Sequence, residues 1–340
     1  MDSLTHIVLG AAIGDRILGR KIGRKAAWIG ALAKTFPDFD LFTSGLNDPR
    51  KYILYHRSYT HSFFVELLTA FPMAALCWLL FRKAIPYKQW FWLWLACLWG
   101  HSLVDWCTNY GTRLFLPFSE QLFALNNIAI ADVFLTLPIL LLVTAGLIAR
   151  NQSRLRHRLM NISLLYTVLY FSMTFVNKAI ADRHFRASAQ KAGIRAQGYM
   201  SNPTILNNIL WYSLIREDST LWIGEYSLLQ HSDSVAWTPF AMNPSMLSTH
   251  PSEDARMLQW FSQGFPVCVR SGDTLDVFIP KFGRGDLDQA DLKKTFIFYY
   301  RIYPDSSGNW GFSQRQPGRE EMRFGDAFRQ LLRHVQAEGK

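Results

Sequence analysis

Apolar and polar positions divide the chain into two unlike parts. Residues 1 to about 181 hold nearly all the long apolar runs, whereas the remainder alternates short apolar stretches with polar turns. Four runs, 64–81, 90–107, 128–149 and 159–181, each approach the roughly 20 residues that carry a helix across a hydrocarbon core. Two shorter segments precede them, Leu4–Leu18 and Ala26–Phe36, with the basic stretch Gly-Arg-Lys-Ile-Gly-Arg-Lys (19–25) between. They predict a helical hairpin that dips into the membrane or packs against the bundle. The first segment does not read as a removable signal peptide: no basic region precedes it, and histidine and acid residues interrupt its apolar stretch.

After the fourth run, DRHFRASAQKAGIRAQG (182–198) reads as a basic helical extension. From about Thr204 the pattern turns to β. LWIGEYSLL (221–229), VCVRSGDTLDVFIP (267–280) and KTFIFYYRIYP (294–304) are rich in β-branched and aromatic residues and are bounded by Gly, Asp, Asn and Ser turn signals. Helices are predicted over Glu253–Gln263 and Phe324–Glu338. The expected fold is a membrane all-α helical bundle, about four transmembrane helices plus the short N-terminal hairpin, followed by a small soluble α+β domain. The domains are expected at 1–181 (membrane), 182–203 (linker or helical extension) and 204–340 (soluble). A mean hydropathy of +0.02 is the average of these two halves and describes neither.

The net charge of +10 raises the question of nucleic acid, and the placement of the charge answers it. Basic residues gather at Arg20, Lys21, Arg24 and Lys25; at Arg82, Lys83 and Lys88; and at Arg150, Arg154, Arg156 and Arg158. If the hairpin and four spans alternate, all three groups fall on one side, which the positive-inside bias makes cytoplasmic. The loop 108–127 carries only Arg113 among basic residues and belongs to the far side. Residues 38–61 and the C-terminal domain would share that outer side. No nucleic-acid partner is expected; the partner is the bilayer. Of the four cysteines, Cys77, Cys97 and Cys107 lie in apolar spans and Cys268 stands alone in the second half, with no C-x-x-C pair.

Ionisable residues inside these runs carry the candidate chemistry. A carboxylate near the centre of a bilayer helix costs about 2.5–3.5 kcal/mol on insertion scales, so such groups face a partner or a cavity. His101 and Asp105 are four apart and share a helix face, as metal ligands or as a structural hydrogen bond. Asp38 and Asp40 lie on one side if the chain after Pro37 is extended, or else one caps the next helix. His56 and His61 flank Arg57, Ser58 and Thr60. His6 is a single histidine in an apolar helix, and Asp132 opens a span that it caps or supplies with a ligand. Together His6, His56, His61 and His101 with Asp38, Asp40, Asp105 and Asp132 form a mixed nitrogen–oxygen set. It suits one or two divalent ions, zinc by default, with manganese or iron also compatible.

The order LTH (4–6), PDFD (37–40), HRSYTHS (56–62), HSLVD (101–105) and an apolar span opened by Asp resembles the LexA-regulated, membrane-bound metal-dependent hydrolases, the YdjM-like family. The resemblance covers residues 1 to about 181. NPTILNNILWYSLIREDSTLWIGEYSLL (202–229) also resembles the segment that comes after the membrane domain in longer members. It implies a bacterial inner-membrane protein with His6, Asp38, His56, His61, His101 and Asp105 as ligands, and Asp40 and Asp132 as additions. A more distant similarity is to the helical zinc-dependent phospholipase C and nuclease group. No HxxxE lies downstream of His101 here, which departs from a full three-metal cluster.

The expected activity is metal-assisted hydrolysis of an ester or phosphoester in a lipid or envelope substrate near the outer membrane face. Asp38 or Asp40 is the expected general base. Arg57 either holds a phosphate by paired hydrogen bonds or snorkels to headgroups. A metal or proton transporter and a non-catalytic membrane anchor are the rivals. Ser62 and Ser102 adjoin histidines without a G-x-S-x-G context, which argues against a serine hydrolase. His157, His184, His231, His250 and His334 fall outside the constellation and are expected at surfaces or in the second domain.

Overall fold

The computed structural model describes residues 1–43, 48–151, 153–230, 234–284, 292–315 and 332–335. They form two compact units, Met1–Leu46 with Tyr55–Thr174, and Asn47–Leu54 with Phe175–Lys340.

The first unit is helical. α1 (Ser3–Ile22) starts at Asp2, whose carboxylate accepts from the Thr5 amide, and turns at Gly23 (φ 63°) into α2 (Arg24–Thr35). Glycine makes this hairpin tight. A Cβ on Gly14 would lie 2.1 Å from the Ala26 carbonyl oxygen, and one on Gly30 would lie 2.1 Å from that of Gly10. Small residues of this kind let helix backbones touch in membranes. A 3-10 turn, Phe36–Phe39, comes next, then one-turn α3 (Asp40–Thr43); α4 (Pro49–Tyr55), which follows in the chain, falls in the second unit except for its last residue. A second 3-10 turn, Tyr59–His61, leads into α5 (Phe63–Leu80), which packs on α6 (Tyr87–Trp106). α7 (Val133–Ile148) and α8 (Arg154–Lys191), the latter as far as Thr174, complete the helices of this half.

Among the described residues, α5 and α8 are long and apolar enough to cross a membrane, while the apolar α7 has 16 residues. The run expected over 128–149 becomes helical only at Val133, because the Asp132 side chain caps the helix by accepting from the Leu135 amide at 3.1 Å. α8 is longer than the expected span at 159–181 and continues without a break to Lys191.

The polar chemistry collects at one end of the helices and the basic residues at the other. Thr5 of α1 meets Thr136 of α7 at 2.6 Å, and His61, just ahead of α5, lies against His101 near the end of α6. At the opposite end Arg24 donates to the Ala149 carbonyl at 2.8 Å, and Arg156 pairs with Asp15.

In the second unit β1 (Gly198–Pro203), β2 (Leu210–Glu217), β3 (Thr220–Ser227) and β4 (Trp237–Ala241) form one antiparallel meander. One-turn α9 (Ser245–Ser248) and α10 (Glu253–Phe261) lead to a second antiparallel meander of β5 (Val267–Ser271), β6 (Thr274–Phe278), β7 (Tyr299–Pro304) and β8 (Trp310–Arg315), with one-turn α11 (Leu292–Thr295) before β7. Leu214, Leu221 and Ile223 of the first sheet share a core with Val267, Phe278 and Tyr299 of the second. Among the described residues every pairing in this half is antiparallel, and its longest complete helix is the nine-residue α10. β1 occupies the end of the stretch expected to be a linker or helical extension. The helix expected over Phe324–Glu338 lies outside the described residues except for the helical turn 332–335.

Candidate metal centre

Four side chains from three separated segments converge at the polar end of the first unit. Asp38 comes from the 3-10 turn after α2, His61 from the turn before α5, and His101 and Asp105 from one face of α6. One donor atom from each lies within 4.8 Å of the others. His61 Nε2 is 3.0 Å from His101 Nε2, 3.6 Å from Asp38 Oδ1 and 3.3 Å from Asp105 Oδ2. His101 Nε2 is 3.4 Å from Asp38 Oδ1 and 3.5 Å from Asp105 Oδ2. A tetrahedral zinc with bonds of about 2.0–2.1 Å holds its donor atoms roughly 3.3 Å apart. Five of the six edges therefore already match that tetrahedron.

The surrounding groups fix the rings in the orientation a metal requires. His101 Nδ1 lies 2.6 Å from the Lys34 carbonyl oxygen, which leaves Nε2 for the cluster. His61 Nδ1 lies 2.9 Å from Thr60 Oγ1 and 3.4 Å from Asp40 Oδ2, which again leaves Nε2. Asp40 in turn accepts from the Arg57 amide at 3.1 Å and from Thr60 Oγ1 at 2.8 Å, and lies 3.0 Å from His56 Nδ1. A carboxylate behind a ligating histidine is the usual outer support of a metal site. The chain after Pro37 is not extended: the 3-10 turn sends Asp38 toward His61 Nε2 and His101, and Asp40 toward His56 and His61 Nδ1.

Electrostatics favour a cation at the centre. Burial opposes the Asp38 carboxylate, yet hydrogen bonds from His101 and His61 hold it well below the usual carboxylate range. Asp40 is likewise penalised by burial and held low by His56 and His61. Burial alone would depress His61, but Asp105, Asp38 and Asp40 outweigh it and raise the ring well above an ordinary histidine. His56 goes the other way, because burial prevails over its bond to Asp40. Asp105 Oδ2 is buried and makes no well-formed hydrogen bond among the described residues, although Arg57 Nε, at 3.1 Å, and both imidazoles face it. A cation at the centre would satisfy that oxygen, so the donor set fits a divalent metal.

The other expected site residues lie around this group or apart from it. His6 stacks on His101, with ring centroids 3.7 Å apart, and its Nε2 lies 3.2 Å from Asp105 Oδ1, beside the group of four. The Met1 amine also contacts Asp105. Arg57 is buried in the left-handed region (φ 57°), pairs with Asp105, donates to Thr108 Oγ1 at 2.7 Å and stacks on Tyr110. Its guanidinium is buried against the cluster. Asp132 is not in the group of four: besides capping α7 it accepts from the Tyr170 hydroxyl at 2.8 Å. Sequence reasoning missed Lys34 and Glu66, both buried. Glu66 accepts from Ser102 Oγ at 2.6 Å and keeps Oε2 without a partner among the described residues. The signal was present, since Glu66 is the one acid in the apolar run of α5. His157, expected at a surface, is mostly buried and lies 2.9 Å from Asp15. His231 and residues 285–286 of the Gly-Arg-Gly-Asp stretch (283–286) lie outside the described residues.

Fold and site together define an apolar helical protein with an internal two-histidine, two-aspartate metal-ligand set. The profile of the YdjM inner membrane protein family matches residues 1–181, more than half of the chain, and the chain belongs to that family. It is also similar to the Uncharacterized protein YfhP of Bacillus subtilis (strain 168), 33% identical over 142 residues, 40% of this chain and 43% of that one. The chain thus spans less than half the length of this curated relative. No solved structure matches.

Proposed function

We propose that this inner membrane protein is a metal-dependent hydrolase acting on an ester or phosphoester of a lipid or envelope substrate. The observation that carries the reading is the near-tetrahedral set of Asp38, His61, His101 and Asp105 inside an apolar bundle. Two nitrogen and two oxygen donors suit zinc, with manganese or iron as alternatives. A divalent ion held there supplies Lewis acidity and brings the pKa of water toward about 7.

The chain's own groups divide the remaining work. Asp40 is engaged with His56, Thr60 and the Arg57 amide, so it orients and does not serve as the base. Asp38 is our choice for proton acceptor through Oδ2, since Oδ1 is the oxygen that faces the two imidazoles and the side chain is 10% exposed, against 0–1% for the other three members. Arg57 and His6 hold Asp105 in place. We place the site on the outer, periplasmic side of a multi-pass bundle, since the three basic clusters lie at the other end of the helices. Four helices, α5 to α8, would then cross the membrane.

One observation favours a second reading. Four protein donors complete a tetrahedron, and closed sites of this kind are commonly structural. The metal would then lock the helices together. Elemental analysis of detergent-purified protein, paired with hydrolysis of phosphoester and ester substrates, separates the two. Stoichiometric metal with hydrolysis lost in Asp38→Asn supports the hydrolase. Stoichiometric metal without hydrolysis, and with stability lost on chelation, supports the structural role. Wild type that binds no metal after reloading overturns both.

A further inference from the structure

The end of the first unit opposite the metal centre holds a cavity of about 730 Å³ between the start of α8 and the end of α1. Arg154, Arg158 and His157 of α8 and Arg20 of α1 line its polar side, with Asn161 beside them, and Ile162 and Leu165 line its apolar side. No acid lines it. The nearby Asp15 is already taken by Arg156 and His157. Arg20, Arg154 and Arg158 make no ion pair among the described residues, so three guanidinium groups face one space without a counter-charge. His157 is held to Asp15 through Nδ1. Arg156, fully buried, also donates to Asn151 Oδ1 at 2.7 Å, so the first turns of α8 are anchored.

The wall has a direction. Arg154, Arg158, Asn161 and Leu165 recur at i, i+4, i+7 and i+11 and share one face of α8. Further along the same helix Ile162, Leu165 and Leu169 are exposed apolar side chains. The cavity therefore runs from a basic mouth onto an apolar stripe on α8, which among the described residues is one of the two helices both long and apolar enough to span a membrane. His6 and Arg20 are 14 residues apart on α1, about 21 Å of helix, which puts this cavity and the metal centre near opposite ends of a hydrocarbon core about 30 Å thick. Basic pockets beside membrane helices at the cytoplasmic face are where anionic headgroups bind.

We propose that this cavity binds the phosphate headgroup of an anionic phospholipid. Arg20, Arg154 and Arg158 pair with the phosphate oxygens, and the stripe through Ile162, Leu165 and Leu169 takes the acyl chains. Guanidinium groups bind phosphate through paired hydrogen bonds. A volume within the roughly 300–1,000 Å³ of pockets that hold whole organic molecules exceeds what a bare phosphate needs. The alternative is that these arginines only set topology, which predicts no saturable site.

The test uses the full chain in a neutral detergent, titrated with short-chain phosphatidylglycerol, short-chain phosphatidylcholine and inorganic phosphate, with bound ligand read by native mass spectrometry. Saturable phosphatidylglycerol binding, roughly tenfold or more tighter than phosphatidylcholine, is expected. Arg154→Gln/Arg158→Gln abolishes that preference, and Leu165→Gln weakens phosphatidylglycerol while leaving phosphate unchanged. Should the double variant not fold, Arg20→Gln, at an exposed position on α1, reads the same cavity and is expected to weaken phosphatidylglycerol selectively. Equal affinity for the two lipids overturns the proposal. So does phosphate binding as tightly as phosphatidylglycerol, or a preference that survives all of these substitutions.

Discussion

At the scale of single residues, the same pair of atoms, histidine nitrogen and carboxylate oxygen, serves two purposes here. His61 turns Nε2 toward His101, Asp38 and Asp105 and Nδ1 toward Thr60 and Asp40. Replacing His61 with Ala removes a donor, so stoichiometric metal should be lost. Asp40→Asn keeps every donor and removes only the charge that orients two rings. Its metal affinity should fall about 10–100-fold, the usual effect of losing such support, as read by competition with a chelator of known affinity. Asp132→Ala makes the opposite distinction. It removes the cap of α7 and leaves the buried Tyr170 hydroxyl unpaired, so stability should fall by about 1–3 kcal/mol in detergent unfolding with metal content unchanged. Metal loss in that variant would return Asp132 to the site. The sequence displayed His61, His101, Asp38 and Asp105 because each ionisable group interrupts an apolar run or a short motif. It did not separate ligands from supports, because Asp40 and Asp132 carry the same chemistry and only the turn or cap they sit in decides their partners. Lys34 escaped notice because its contribution to the site is a backbone carbonyl, which no side-chain pattern records.

Among elements, the α1–α2 hairpin is the frame on which the centre rests. α1 brings His6, and α2 brings the Lys34 carbonyl that fixes His101. Gly30 lies one turn before Lys34, and its missing Cβ is what lets α2 meet α1. On an isolated helix Gly→Ala gains about 1 kcal/mol. Here the added carbon would lie 2.1 Å from the Gly10 oxygen, a backbone atom that moves only with its helix. Gly30→Ala should therefore cost about 1–3 kcal/mol in detergent unfolding and also weaken metal binding, because moving α2 moves the Lys34 carbonyl. A stability gain with unchanged affinity would show that the hairpin does not support the centre. Both helices of this hairpin were readable from their apolar segments and the basic break between them. The strands were readable where turn chemistry brackets them: Ser-Gly-Asp between β5 and β6 becomes a hairpin with Gly272 at φ 59°. β1 was not, because Gly198, Asn202 and Pro203 have low strand propensity and the stretch reads as a linker, although β1 and β2 pair residue for residue from Gly198↔Arg216 to Pro203↔Trp211.

For the whole molecule the open question is whether α6 crosses the membrane. Its 20 residues span about 30 Å, enough for a hydrocarbon core, yet average hydropathy selects only α5 and α8 as spans. The cause is the position of its polar and aromatic residues. Trp90, Trp94, His101, Ser102 and Asp105 are all buried, packed inside the bundle where an average over composition treats them as if they met lipid. α6 also packs against α1, α2 and α5, the arrangement of a central helix. The four native cysteines are buried, so an introduced cysteine can be read against a low background. Lys83, before α6, and Gln121, in the loop after it, are both exposed. With a membrane-impermeant maleimide on intact cells whose outer envelope admits it, Gln121→Cys should label directly and Lys83→Cys only after the inner membrane is permeabilised. Labelling of both from one side would mean that α6 does not cross, and the bundle would have to be threaded by α5, α7 and α8 alone. The reverse pattern would keep the crossing but turn the metal centre to the cytoplasm, against the charge bias of Arg20, Lys21, Arg82, Lys83, Arg154 and Arg158. The expected pattern gives the proposed hydrolase an outward-facing substrate and the basic cavity an inward-facing lipid.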